Sequence, residues 1–296
     1  MKKVVELQKQ QLNKSQINKL LKDKTILITG GAGSIGSSLT KALLLFPIKS
    51  IRVFDINEHA LFQLSHSLDD TRIEPLFGDI LDKDRLELAV LGSDIIIHTA
   101  ALKNIEITEY NPIETIDINV NGTINLLKSI IKHKPKIFIN ISTDKVAESS
   151  TLYGATKQLG ERLTNWAGPH IHSTKFATVR LGNIIETRGN VFEVWNEQVQ
   201  NKQPLTITDK KMKRYFFHMN EAIDFILRCM SLVNKGEIFV PKMKLYTITE
   251  LASKISKNQK IIGPRQGEKL QEILITEEEK KNSTEKKDMW VIQNYS

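Results

Sequence analysis

Thr25-Ile26-Leu27-Ile28-Thr29-Gly30-Gly31-Ala32-Gly33-Ser34-Ile35-Gly36 (TILITGGAGSIG, 25–36) decides the fold. A short apolar, β-rich run is followed at once by glycines and then by a helical pattern that lasts to Leu45. This predicts strand, tight turn and helix in succession. In such a unit Gly30 permits the turn, Gly33 lets backbone approach a pyrophosphate, and Gly36 lets helix and strand pack closely. Free N–H groups at the helix start, around Ser34 and Ile35, would then face the phosphates. Glycine-rich turns are common, so the reading depends on what surrounds this one.

Outward from that turn the chain alternates. Strands are predicted over 51–55, 73–77, 94–98, 136–141 and 175–181, and helices over 58–68, 119–133 and 152–166. Unbroken apolar strands joined by helices indicate a parallel sheet covered on both faces. The expected fold class is therefore α/β, a Rossmann-type doubly wound parallel sheet over residues 25–182. A helical extension is expected over 1–24, with Ser15 as its cap and Ile17, Leu20 and Leu21 on one face. A smaller sugar-nucleotide-binding region is expected over 183–296, some of whose segments return to the sheet. Within it, 191–201, 220–233 and 249–256 read as helices and 204–208 and 237–240 as short strands. The mixed charge run TEEEKKNSTEKKD (276–288) reads as a solvated helix end or loop.

Composition narrows the function classes. The net charge is +8, but the lysines are scattered along the chain. That favours an anionic small ligand over a nucleic-acid stripe, and no nucleic-acid motif is present. The lone cysteine, Cys229, cannot form an intrachain disulfide and reads as a small buried hydrophobe. No apolar run reaches the length of a signal core or a membrane span, so a cytoplasmic location is expected. No metal site is expected.

Asp55 ends the second strand, where a carboxylate can accept hydrogen bonds from ribose hydroxyls; this leans towards NAD over NADP, and a helix N-cap is the alternative. Asp79 follows the third strand and could meet an adenine amino group or close an Asx turn. Ile80 and Ala100 complete the expected cofactor contacts. Tyr153 and Lys157 stand four apart on a predicted helix and so share a face. A cationic Lys157 beside the phenol would stabilise the phenolate, making Tyr153 a base for a hydroxyl proton as hydride leaves for nicotinamide.

TGGAGSIG (29–36) with YGATK (153–157) resembles the extended short-chain dehydrogenase/reductase superfamily. STDK (142–145) followed by LYGATK (152–157) is similar more narrowly to the UDP-N-acetylglucosamine 4,6-dehydratases of polysaccharide and flagellin-glycan biosynthesis. AALKNIEITEYNP (100–112), RLGNIIETRGNVF (180–192), KRYFFHMNEAIDFIL (213–227) and IIGPRQGEKLQEILIT (261–276) extend the likeness over 25–276. The resemblance implies that Tyr153 takes the sugar C4-hydroxyl proton, Lys145 the C5 proton, and that Asp144 protonates the departing C6 hydroxyl. Thr143 would hold the C4 oxygen. Lys103 would face the substrate, and Asn183, Arg188, Arg214, Arg265 and Glu268 would surround the UDP portion. A tightly held, recycled NAD or NADP, a UDP-sugar substrate and a homo-oligomer follow from the same likeness; retention or inversion at C5 does not.

Elimination of water needs one group to take a proton and another to give one, and adjacent Asp144 and Lys145 supply such a pair. Their bland alternative is a surface ion pair. Three departures fall near the site: VAESST (146–151) lacks a proline usual in relatives, Asn190 replaces a serine, and Gln266 a proline. A UDP-sugar 4-epimerase, whose product keeps the substrate mass, is the rival enzyme. A non-catalytic dinucleotide-binding regulator is the rival outside catalysis.

Overall fold

The computed structural model describes residues 4–7, 12–264 and 267–293. The chain runs α1 (Lys14–Leu21), β1 (Thr25–Thr29), α2 (Ser34–Leu43), β2 (Ser50–Asp55), α3 (Glu58–Leu68), β3 (Ile73–Phe77), α4 (Lys83–Val90) and β4 (Ile95–His98). Next come α5 (Ile105–Tyr110), α6 (Pro112–Ile116), a π-helical turn (Asp117–Asn121), α7 (Gly122–His133), β5 (Ile137–Thr143), α8 (Leu152–His170) and β6 (Lys175–Leu181). The C-terminal third adds β7 (Asn183–Ile184), α9 (Val191–Gln200), β8 (Leu205–Ile207), β9 (Lys213–Phe217), α10 (Met219–Leu232), β10 (Lys235–Pro241) and β11 (Lys244–Thr247). It closes with α11 (Ile248–Ser253), β12 (Gln259–Ile261), α12 (Glu277–Lys281), β13 (Ser283–Glu285) and β14 (Met289–Ile292).

Nine strands form one sheet in the order β13-β14-β10-β6-β5-β4-β1-β2-β3. From β10 to β3 every pairing is parallel, and β14 and β13 add an antiparallel hairpin at one edge. The fold is thus the doubly wound α/β sheet read from the alternation. Its strand order reverses between β1 and β4, and the crevice for a ligand opens above their carboxyl ends. One edge strand, β3, carries Pro75; the other, β13, is three residues long and is followed by exposed Lys286 and Lys287.

Each strand feeds two cores because its side chains alternate. Ile26, Ile28, Val53, Ile97 and Ile139 pack with Leu39 of α2 and Ile226 of α10 on one face. Leu27, Phe54, Ile96, Phe138 and Phe176 pack with Leu86 of α4 and Leu126 of α7 on the other. A third cluster around Trp195, Phe216 and Tyr246 fills the C-terminal lobe and takes in Val5.

Two expectations change. Asn13, not Ser15, caps α1, accepting from the Gln16 N–H at 3.2 Å. The helix expected over 119–133 is preceded by α5, α6 and the π-helical turn, because Asn111 leaves the helix and Pro112 restarts it without needing an N–H partner. The charge run 276–288 is mostly exposed, as expected, and holds α12 and β13; within it Glu279 alone is buried.

Candidate active site

The glycine turn is built by close approach. Gly30 has φ +66°, and a Cβ there would lie 2.6 Å from the Ala100 backbone. At Gly36 a Cβ would sit 2.6 Å from the Gly30 carbonyl oxygen. Both positions exclude side chains, so the β1–α2 turn lies flat against the end of β4. A cavity of about 280 Å³ opens there. Gly30, Gly33, Ser34 and Ile35 form its floor, Asp55, Asp79 and Ile80 one wall, and Ala100 and Lys103 the other.

Asp55 does not cap α3; Asn57 does, accepting from the Ala60 N–H. The Asp55 carboxylate instead accepts from the Ala32 N–H and the Asn57 N–H, each at 3.0 Å, while lining the cavity. It fixes the glycine turn from below. Asp79 closes an Asx turn on the Leu81 N–H at 2.9 Å and lines the same cavity. These features fit a dinucleotide: a backbone cradle at a helix start and a carboxylate where ribose hydroxyls would lie.

Thr143 ends β5, and the chain turns through Asp144 and Lys145 at the carboxyl edge of the sheet. Asp144 is fully buried. Its Oδ1 accepts from the Thr143 hydroxyl and from Lys145 Nζ, both at 3.0 Å, and its Oδ2 is buried with no partner among the described residues. The surface-pair reading of Asp144 and Lys145 is therefore excluded. Burial pulls the Lys145 ammonium down, but Asp144, Glu272 and Tyr153 together hold it above the ordinary lysine value. At rest Lys145 is therefore held as the ammonium.

Thr151 caps α8 through the Gly154 N–H, which sets Tyr153 in the first turn. Burial pushes the Tyr153 phenol up, Lys145 and a hydrogen bond with Thr143 pull it down, and Asp144 pushes it up again. Lys145 thus acts on the phenol as a cation; Lys157, to which the sequence pointed, shares the helix face of Tyr153. Lys157 is buried one turn on, and its neighbours are Glu161 and His98. Burial lowers Lys157 to about 8, with Glu161 opposing. His98, at the end of β4, is held between the hydroxyls of Thr29 (2.7 Å) and Thr123 (3.0 Å), and burial keeps it neutral with a pKa of about 3. Asn119, from the π-helical turn, bonds both Leu102 backbone groups and the Thr156 hydroxyl, tying the β4 loop to α8.

The residues expected around the UDP portion divide. Asn183 stands on β7 beside β9 with Nδ2 buried and unpartnered among the described residues. Arg214, buried on β9, pairs with Glu268 at 3.1 Å. Arg188 ties its loop to the glycine turn through its backbone: its N–H donates to Ser34 Oγ at 3.1 Å and its carbonyl accepts from Lys103 Nζ at 3.0 Å. Arg265 lies outside the described residues. One group escaped the sequence reading altogether. Glu272, buried in LQEIL (270–274), is held above the usual carboxylate range by burial, with Lys145 opposing. The segment carrying it straps over the loop before α8: Lys269 Nζ donates to the Ala147 carbonyl at 3.0 Å, and Ser150 Oγ to the Gly267 carbonyl at 2.7 Å.

Comparison with known proteins agrees with this architecture. The family model described as polysaccharide biosynthesis protein matches residues 26–294. A protein of Methanocaldococcus jannaschii, named an uncharacterized membrane protein, is 43% identical over 94% of this chain and 88% of its own. The UDP-N-acetylglucosamine 4,6-dehydratase (inverting) of Campylobacter jejuni is 36% identical over 86% of this chain and 78% of its own. The UDP-glucose 4-epimerase of Rickettsia rickettsii is 32% identical over 91% and 83%. The crystal structure of Pen from Bacillus thuringiensis superposes with a TM-score of 0.89 at 33% identity, covering 93% of this chain and 90% of that one. No described helix is long and apolar enough to cross a membrane.

Proposed function

The chain belongs to the polysaccharide biosynthesis protein family, and from that membership we propose that it is a nicotinamide-dependent 4,6-dehydratase of UDP-N-acetylglucosamine. The observation that carries the reading is the buried Asp144–Lys145 pair beside Thr143 and Tyr153. When bound, a nicotinamide dinucleotide supplies the hydride acceptor at C4 and the donor at C6, so the cycle is redox-neutral. Gly30, Gly33, Ser34, Ile35, Ile80 and Ala100 hold it, and the Asp55 carboxylate favours NAD, because a 2′-phosphate would meet its charge.

Burial holds the Tyr153 phenol above its ordinary value while the Lys145 ammonium favours its ionisation; so ionised, Tyr153 takes the C4-hydroxyl proton and the Thr143 hydroxyl holds that oxygen. The C4 ketone acidifies the C5 hydrogen. Lys145 must then be neutral to remove it and Asp144 protonated to release the C6 oxygen as water. Transfer of one proton along the 3.0 Å bond between them produces both forms with no change in net charge. Closure over substrate favours that neutral pair, since desolvation penalises the charged one. The unpartnered Asp144 Oδ2 is free to meet the leaving hydroxyl.

The test is mass spectrometry of UDP-N-acetylglucosamine incubated with the protein and NAD in heavy water. Loss of one water with gain of one deuterium is expected. A 4-epimerase is the second reading, favoured by the Rickettsia rickettsii relative. It leaves the mass unchanged and exchanges no carbon-bound hydrogen, and that outcome would overturn the dehydratase.

A further inference from the structure

The loop after β7 spans the cofactor cavity from floor to wall. Thr187 lines that cavity, with Ser34 on its floor and Lys103 on its wall. The Arg188 N–H donates to Ser34 Oγ at 3.1 Å, and Lys103 Nζ donates to the Arg188 carbonyl at 3.0 Å. The backbone of one residue thus joins the two sides. A second cavity of about 260 Å³ lies against the same loop and is lined by Thr187, Arg188, Asn190 and Glu193. The loop is a partition with space on both sides, and bonds within it keep its shape. Gly189 has φ +73° and open space where a Cβ would be. Its N–H donates to the Glu193 carboxylate. Asn190 donates through Nδ2 to the Thr187 carbonyl, while its Oδ1 accepts from the Phe192 and Glu193 N–H groups and caps α9.

We propose that residues 187–190 form a latch across the cofactor cavity, with Gly189 and Glu193 as positioning residues that hold it shut between turnovers. This rests on the reading of that cavity as a nicotinamide dinucleotide site. A redox-neutral cycle returns the cofactor to its starting form, so no step requires it to leave. The latch bonds run between protein groups only, from the loop to the β1–α2 turn, to the β4 loop and to α9. They therefore oppose entry of the dinucleotide as much as its exit. Loosening the latch speeds both, whereas deleting a group that touches the dinucleotide speeds exit alone. Neither Gly189 nor Glu193 lines the cofactor cavity, so each acts on cofactor exchange through the loop.

The test is stopped-flow fluorescence of NADH on the whole protein, with association followed on mixing and dissociation by chase with excess NAD. Gly189→Ala places a Cβ on a left-handed backbone without meeting a neighbour, so it strains the closed loop and nothing else. It should raise both rates together by about fivefold or more, the usual cost of that backbone for a side chain. Their ratio, the Kd, should stay within about threefold, because the latch bonds do not depend on the ligand. Gly189→Asn, which tolerates this backbone, should bring both rates most of the way back. Glu193→Ala removes the acceptor of the Gly189 N–H and should raise both rates by about tenfold, and Glu193→Gln, which keeps a carbonyl there, by less. Asn190 still caps α9 in every variant, so each should fold. Unchanged rates in either alanine variant overturn the proposal. Faster dissociation with unchanged association overturns it too, because that marks a lost contact with the dinucleotide rather than a lowered barrier. A wild-type protein that binds no NADH sinks the cofactor reading along with the latch; binding with unaltered variant rates sinks the latch alone.

Discussion

At Lys145, burial and charge pull in opposite directions. Burial alone would free an amine; Asp144, Glu272 and Tyr153 hold the proton on it. The scheme therefore predicts that two single variants fail differently. Lys145→Ala should bind NAD as wild type and lose water elimination by about 10²–10⁴-fold, the usual worth of a positioned base. Tyr153→Phe should lose C4 oxidation as well, by a similar factor. Rapid-mix absorbance of the reduced nicotinamide, read with product mass, checks both; wild-type turnover in either variant would remove its assigned role. Tyr153 and Lys157 were legible because helical spacing alone puts them on one face. Glu272 and the partner of Arg180 were not: Glu279 meets Arg180 across 99 residues of chain, and no local pattern encodes such a pairing.

Among the elements, the central strands were plain because a buried parallel strand is apolar on both faces, as in Ile137–Thr143. The turn into the active site was less so. ALKNIEITEYNP mixes apolar and charged residues at helical spacing, yet Asn111 and Pro112 split it into α5 and α6. The N-terminal segment hides another device. His218, before α10, faces the Glu186 carboxylate through Nδ1 at 3.1 Å and the Val5 carbonyl through Nε2 at 3.0 Å. Both partners accept, so only the doubly protonated ring satisfies both. Burial lowers this imidazole, but Val5, Glu186 and Glu221 outweigh that and raise it above its ordinary 6.5. A raised value in the folded state means the stabilisation is complete below about pH 6.5 and fades as pH climbs past the folded value. Amide exchange at Val5 and Glu6 should accordingly quicken between pH 6.5 and 9 beyond the intrinsic base-catalysed rise. That excess should vanish in His218→Gln; an excess that persists would remove the imidazole from the strap.

For the molecule as a whole, the C-terminal segment is part of the sheet rather than a tail. Glu279 anchors it to β6 while β14 pairs with β10. Glu279→Ala should remove two charge-assisted hydrogen bonds from Arg180, which keeps Glu161, and destabilise the protein by about 1.5–3 kcal/mol. Urea unfolding would show this as a lower midpoint at an unchanged slope. A loss under about 0.5 kcal/mol, the scale of an ordinary surface change, would mean the anchor is elsewhere. The charge run TEEEKKNSTEKKD is mostly exposed, as its composition suits, but composition could not single out Glu279, which only its tertiary partner Arg180 makes internal.

The borders of that sheet have their own consequence. A nine-stranded sheet ends in two rows of unpaired backbone donors and acceptors, which are templates for a strand from another molecule. On one border Pro75 interrupts the row, since it has no N–H to offer. On the other, β13 offers three residues and then Lys286 and Lys287, whose like charges would repel their counterparts in an incoming copy. Each border is thus blunted against strand-by-strand addition, and this large apolar sheet is guarded against fibrous stacking.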